Sequence, residues 1–344
     1  MIKRNHLLFG AILLIAIALT FLKIPVASSQ GLQFISTWVE GDLPVEDPSS
    51  ALWQQSTAVE VPLSAQNVTK PFLLDSKVKS VTARALQNAS QLAVLVEWSD
   101  STQDDSSVRI QDFRDAVALQ FPQAQGQPFF CMGQQGANVN LWHWKADWQA
   151  DITARKEMEN QYPDMYVDYY PYAQAAGGAI AGITDYTDQN YLPALKAGNL
   201  LASTSLSSPV EDLNAGGFGT LTSQPATGQN VQGYGFWKDG SWQVIFSRAL
   251  SSSETDDVSF LPGNNYAVAF AVWDGSNGER NGEKSTSQWV NLQLSSPLRS
   301  PSAPVEEAAA PQGLATPRNV TYLLVGIFAV LFILGAMIYI KLPE

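Results

Sequence analysis

The chain has 344 residues, 45% of them hydrophobic, with 20 Lys and Arg against 32 Asp and Glu for a formal net charge of −12. The apolar content is enough for one large or two modest cores, and the acidic balance excludes nucleic acid, whose phosphates need clustered Lys and Arg. One cysteine, Cys131, and two histidines, His6 and His143, exclude an internal disulfide, a Cys-only zinc site, a CxxCH attachment sequence and an HExxH metal site.

Lys3 and Arg4 precede an apolar run, Leu7 to Leu22, and small residues follow at Ala27 to Ser29. This is the pattern of a secretory signal peptide over 1–29, with an uncleaved N-terminal anchor as the alternative. Either form exports the segment that follows, 31–297. His6 lies in the leader, so an exported domain holds only His143, and a bis-His haem within it is excluded.

The segment 31–297 is expected to be mostly strand. Gln91 to Asp100 is a buried strand ending in a turn. Trp242, Val244 and Phe246 share one face of Ser241 to Leu250 by the period of two. Asn265 to Gly275 is apolar and ends at an Asp-Gly turn, and Ser287 to Leu294 alternates again. Helical periodicity is confined to Trp148 to Tyr162. A mainly antiparallel β-sandwich with short helices is the expected fold. Residues 160–230 differ, with a first half rich in Tyr, Gly and Ala, and are expected to be an insertion, a partner-facing surface or a packed loop.

Residues 298–319, rich in Pro, Ala and Ser, predict a semi-extended stalk. Val320 to Ile340 is free of charge and predicts a single transmembrane helix of about 30 Å. With Lys3 and Arg4 held inside, the main domain is placed on the extracytoplasmic side of the cell membrane, and the tail "KLPE" inside. The chain is single-pass, or two-pass if the leader stays.

Two loops concentrate chemistry-bearing side chains. The first, "PFFCMGQQGANVNLWHWKADWQ", holds Met132 flanked by Phe129, Phe130 and Gly133, then Trp142, His143, Trp144 and Lys145. The second, "WDGSNGERNGEKSTSQW", holds Lys284 between two strands, followed by Trp289. A b-type haem needs apolar, aromatic walls and axial donors, which Met, His or Lys supply, and lysine does so only as the neutral amine. Spacing alone leaves Lys284 a solvated loop lysine. His143 is either an axial ligand or a packing residue between Trp142 and Trp144. Met158 and Met165 lack the aromatic-glycine setting of Met132. Cys131 is a small buried apolar residue or a reactive thiol. Asp274, Asn277, Glu279 and Glu283 hint at a calcium loop, but their spacing fails the EF-hand template.

The stretches "MGQQGANVNLWHWKADWQ", "VAFAVWDGSNGERNGEKSTSQWV" and "ALWQQSTAVEVPL" (Ala51 to Leu63) resemble the haem-binding domain of ethylbenzene dehydrogenase γ subunits. That family also serves type II molybdenum enzymes of the dimethyl sulfoxide reductase superfamily, with more distant relatives in nitrite oxidoreductase. The resemblance implies haem b with Met132 and Lys284 as axial ligands to iron. Trp142 and Trp144 then either wall the haem or pack the core. It further implies electron transfer without an active site of its own. The partners would be an iron–sulfur subunit, a molybdopterin catalytic subunit, and a quinone or cytochrome carrier. The insertion and the C-terminal anchor depart from the family pattern. A non-redox carbohydrate-binding module, stacking sugars on exposed Trp and Tyr, is the rival reading. An exported enzyme ranks last, because there is neither GxSxG nor a histidine cluster.

Overall fold

Apolar residues alternate along the strands and face one another across two sheets. The computed structural model describes residues 31–124, 132–164, 194, 197–200 and 206–296. These fall in a unit spanning 1–298, and a second unit, 299–344, lies outside the described residues. The leader, the stalk and Val320 to Ile340 lie outside them too, as do Cys131, Phe129, Phe130 and Met165 and most of the Tyr-rich stretch. Among the described residues no helix is long and apolar enough to cross a membrane.

The first sheet runs β1 (Gln33–Ile35), β15 (Val290–Gln293), β13 (Asn265–Trp273), β7 (Ala116–Pro122), β8 (Val139–Lys145), β9 (Val210–Ala215), β10 (Thr222–Ser223). β14 (Ser285–Thr286) joins it at β13 and is flanked by β4 (Ser64–Ala65). The second runs β11 (Gln232–Lys238), β12 (Ser241–Ala249), β6 (Gln91–Ser99), β5 (Ser80–Gln87), β2 (Thr37–Trp38), with β3 (Val59–Pro62) also on β5. Neighbours are antiparallel except for β1 with β15 and β2 with β5, which are parallel. Val117, Leu119 and Phe121 of β7 and Val268, Phe270 and Val272 of β13 meet Val94, Val96 and Trp98 of β6 and Trp242, Val244 and Phe246 of β12 in one buried core. The expected sandwich is therefore present, with the two parallel pairs at its N-terminal strands.

The two outer faces differ. Over the second sheet the segment from Val39 to Trp53 packs on Leu86, Leu95 and Ile245. Trp53, in the short 3-10 turn Ala51–Gln55, is fully buried and donates its indole N–H to Asp47 O at 3.0 Å. The stretch around Ala51 to Leu63 is thus a scaffold lid. Over the first sheet the outer face is hollow, and that hollow is the candidate site.

Two expected elements are broken. Ser287 to Leu294 does not form one strand. β14 and β15 both pair with the same edge of β13, but Ser287, Gln288 and Trp289 stand opposite only Ala269 and Phe270. The extra residue is a β-bulge, and Ser287 bridges it: its N–H donates to Phe270 O and its Oγ accepts from Phe270 N, both at 2.9 Å. The helix expected over Trp148 to Tyr162 splits into α1 (Ala146–Ala154) and α2 (Met158–Gln161). Arg155 is extended at the break, and Asp151 Oδ1 accepts from the freed Lys156 N–H at 3.0 Å.

Candidate functional site

The register of β8 decides which of its side chains reach the outer hollow. Asn140, Trp142 and Trp144 point inward. Val139, Leu141, His143 and Lys145 point outward. Trp142 and Trp144 do share a face, as the period of two requires, but it is the core face. Both are fully buried, Trp142 against Phe121 and Phe260, and Trp144 against Trp98 and Trp242. Of the two roles open to them, core packing is the one their positions support, and neither lines the hollow. Gly235 on β11 makes room for Trp144: a Cβ there would stand 2.1 Å from Trp144 Cζ2.

The hollow is a cavity of about 680 Å³, within the roughly 300–1,000 Å³ of small-ligand and cofactor sites. Its floor is small and apolar where β7 offers Ala116 and Ala118, and deeper where β8 and β9 offer Leu141 and Leu213. Ala118 pairs with His143 and Ala271, and Ala116 with Trp273. Small residues on the central strand beside large ones on its neighbours leave a slot. Phe218 and Leu221 close one side.

Met132 and Lys284 enter this slot from loops 152 residues apart and meet, with Lys284 Nζ donating to Met132 Sδ at 3.6 Å. Each is fixed by local sequence. Gly133 has φ +73, and a Cβ on it would lie 2.8 Å from Ala215 O and 2.9 Å from Ala137 O, so glycine is required there. Met132 O accepts from Gly217 N at 2.9 Å, and its side chain packs on Val139, Leu141 and Leu213 beside Trp289. Lys284 follows the turn Arg280–Glu283, where Asn281 has φ 51, and leads directly into β14. It also lies over the Trp273 ring at 4.9 Å.

Gln66 ties that turn down, and nothing in the sequence marks it. It is 6% exposed. Its backbone N–H donates to Lys284 O at 2.9 Å, and its side-chain amide donates to Gly282 O at 2.8 Å and Thr69 O at 2.9 Å. Its Oε1 accepts from Val68 N and Thr69 N.

His143 stacks on Trp273 with ring centroids 4.7 Å apart and an interplanar angle of 29°. It does not sit between Trp142 and Trp144, because those face the other way. Part of its ring edge meets the cavity, but its Nε2 is buried and has no hydrogen-bond partner among the described residues. Burial first, then the nearby Lys145, Arg114 and Lys284 charges, hold the imidazole well below the usual histidine range, so it stays neutral. Lys145 itself is buried beneath Trp148 and paired with Glu211; burial outweighs that partner and lowers it to about 8.

The remaining candidates separate. Met158 is 43% exposed and lines a different hollow near Asp105 and Lys156. Glu283 pairs with Arg280 at 3.0 Å. Asp274 instead caps the 3-10 turn Gly275–Asn277, and Glu279 accepts from Asn277 Nδ2 at 2.9 Å.

The family model described as ethylbenzene dehydrogenase matches residues 50–285. The chain belongs to the ethylbenzene dehydrogenase family. Three curated proteins are similar to this family member, each over 72% of its chain. A candidate respiratory nitrate reductase heme subunit, ORF7, of Haloferax mediterranei is 26% identical with 67% of its own length covered. Chlorate reductase subunit gamma of Ideonella dechloratans is 23% identical with 79% covered. Dimethylsulfide dehydrogenase subunit gamma of Rhodovulum sulfidophilum is 24% identical with 75% covered. Among solved structures, a family 9 carbohydrate binding module from Caldicellulosiruptor kristjanssonii aligns with 80% of this chain and 99% of its own at 7% identity and a TM-score of 0.37, too distant to bear on function.

Proposed function

We propose that this family member is a membrane-anchored haem b electron-transfer subunit of a molybdopterin oxidoreductase complex. Met132 and Lys284 would hold the haem iron. One observation carries the reading: a thioether and an amine from distant loops point at each other, 3.6 Å apart, in an apolar slot of about 680 Å³. The residues fit the group. The two donors are of the kinds that ligate haem iron, and alanine, leucine and aromatic carbon line part of the cavity, with charged side chains such as Lys70, Arg114 and Arg280 lining the rest. The relatives supply the context, since one is named as a heme subunit and two as gamma subunits of reductase or dehydrogenase complexes.

A haem held by two protein ligands takes up and gives back one electron at a time and leaves no place on iron for substrate. The chain's own residues set the conditions. Leu141, Leu213 and Phe218 give the slot apolar lining. Met132 brings a soft donor that favours the reduced metal. Lys284 must enter as the neutral amine, against an ordinary value of about 10.4. His143, neutral and stacked on Trp273, holds one wall in place.

In this reading the protein has no active site. Electrons pass between an iron–sulfur subunit next to the molybdopterin subunit and a quinone or cytochrome carrier. The stalk and the 320–340 helix hold the domain at the outer membrane face. The sugar-binding reading has less support, because all ten tryptophans fall among the described residues and none is exposed. The test is the visible spectrum of the full chain purified with haem supplied. A reduced low-spin b-type spectrum is expected, disturbed by Met132→Ala and by Lys284→Ala but retained in His143→Ala. Loss of the low-spin signal in His143→Ala alone would move the ligation to histidine.

A further inference from the structure

Three carboxylates meet at one end of the sandwich, two of them next in sequence to Ala116 and Trp273 of the slot. Asp100 follows β6, Asp115 precedes β7 and Asp274 follows β13, so the second sheet contributes one and the first sheet two. One oxygen of each lies within 4.8 Å of the others. All three residues are buried: Asp115 is 0% exposed, and Asp100 and Asp274 are 6%. Among the described residues none of them takes part in a salt bridge. The basic group whose charge reaches Asp274 and Glu279 is Lys77, on the surface.

Hydrogen bonds hold part of this cluster. Asp115 accepts from Gly275 N at 2.9 Å, Asp104 N at 2.8 Å and Trp242 Nε1 at 2.9 Å. Asp274 accepts from Asn277 N at 3.0 Å. Asp100 is different. Its Oδ1 is taken by Thr102, but its Oδ2 is fully buried with no hydrogen-bond partner, and the same holds for Oδ2 of the adjacent Asp104. A buried carboxylate oxygen with no donor, beside like charges, is costly in a folded chain unless a cation or a proton answers it. Burial first, and then Asp100, pushes Asp115 up to about 8.

We propose that Asp100, Asp115 and Asp274 form a binding site for one calcium ion that staples the two sheets together. The donors are all oxygen, which selects a hard cation. Three oxygens no more than 4.8 Å apart lie within about 2.8 Å of a common point, a few tenths of an ångström from a calcium–oxygen bond of about 2.4 Å, so a small side-chain adjustment lets one ion reach all three. Calcium suits the site better than magnesium. Asp115 and Asp274 are already fixed by backbone N–H groups, and magnesium demands a near-ideal octahedron that such fixed ligands cannot rearrange to give. Glu279, whose carboxylate accepts from Asp274 N at 3.2 Å, is a further acid beside Asp274. It begins the turn that ends at Lys284, so the ion would also steady that turn. The site rests on these carboxylates alone and does not depend on the haem reading.

The experiment uses the full chain in detergent, stripped with EDTA and desalted, then heated in calcium chloride or magnesium chloride. A saturable rise in Tm is expected with calcium, about 5–10 °C at a hundred times its Kd. Asp100→Asn removes one ligand charge at the oxygen that has no hydrogen bond to lose. It should fold with a Tm no lower than that of the stripped wild type and lose the calcium response. If Asp100→Asn fails to fold, Asp274→Asn is put through the same titration with the same expectation. A wild-type Tm that ignores calcium, a variant that responds to calcium as wild type does, or a response to magnesium alone would overturn the assignment.

Discussion

Replacing Gln66 by leucine keeps the side-chain volume and removes its amide. The amide has two N–H donors and one oxygen, so of its five side-chain contacts it makes about four good bonds: two donated among Thr69 O, Pro71 O and Gly282 O, and two accepted from Val68 N and Thr69 N. At about 0.5–1.5 kcal/mol net for each, with water replacing some at the loop surface, the loss comes to about 2–4 kcal/mol. The damage is directional, because Gly282 O lies two residues before Lys284 and is left half-buried against a methyl group. Chemical unfolding followed by tryptophan fluorescence should show the loss of stability. The visible spectrum of the folded variant should show a smaller low-spin fraction. A stability change below about 0.5 kcal/mol with an unaltered spectrum would refute the idea that Gln66 is the strut behind Lys284.

Gly235→Ala puts a Cβ 2.1 Å from Trp144 Cζ2, in a core where Trp98 and Trp242 block any retreat. It should cost about 1–3 kcal/mol, measured by the unfolding midpoint, without changing the haem spectrum of the molecules that fold. Gly133→Ala meets two carbonyl oxygens under 3 Å at φ +73. It should both destabilise the chain and weaken haem retention, measured as haem per chain after gel filtration. Asp212 is raised to about 8 by burial and then by Asp257, so between its ordinary value of 3.8 and about 8 the folded chain holds a proton that the unfolded chain has released. Stability should therefore fall as pH rises through that window. Asp212→Asn should flatten the trend in a Tm series, and an unchanged slope would contradict it.

Much of this architecture was legible in sequence because strands advertise themselves by alternation. Trp242, Val244 and Phe246 lie on the core face as their spacing requires. The bulge at Ser287–Trp289 was not legible, since an inserted residue preserves composition while shifting register. Alternation put Trp142 and Trp144 together on a face but could not say which face. That depended on glycines at 233 and 235 in another sheet. Met132 and Lys284 were singled out by resemblance; spacing alone left Lys284 an ordinary loop residue. What joins them is a fold that brings two loops 152 residues apart to one slot. The calcium-loop hint caught Asp274 and Glu279 but missed Asp100 and Asp115, because those acids converge only when the ends of β6, β7 and β13 are packed together.

The central claim is that side chains of this protein close both faces of the haem iron, and carbon monoxide tests it most directly. Reduced, haem-loaded wild type should show no spectral change under carbon monoxide, whereas Met132→Ala, with one position opened, should bind it. A wild-type chain that binds carbon monoxide readily would contradict the account.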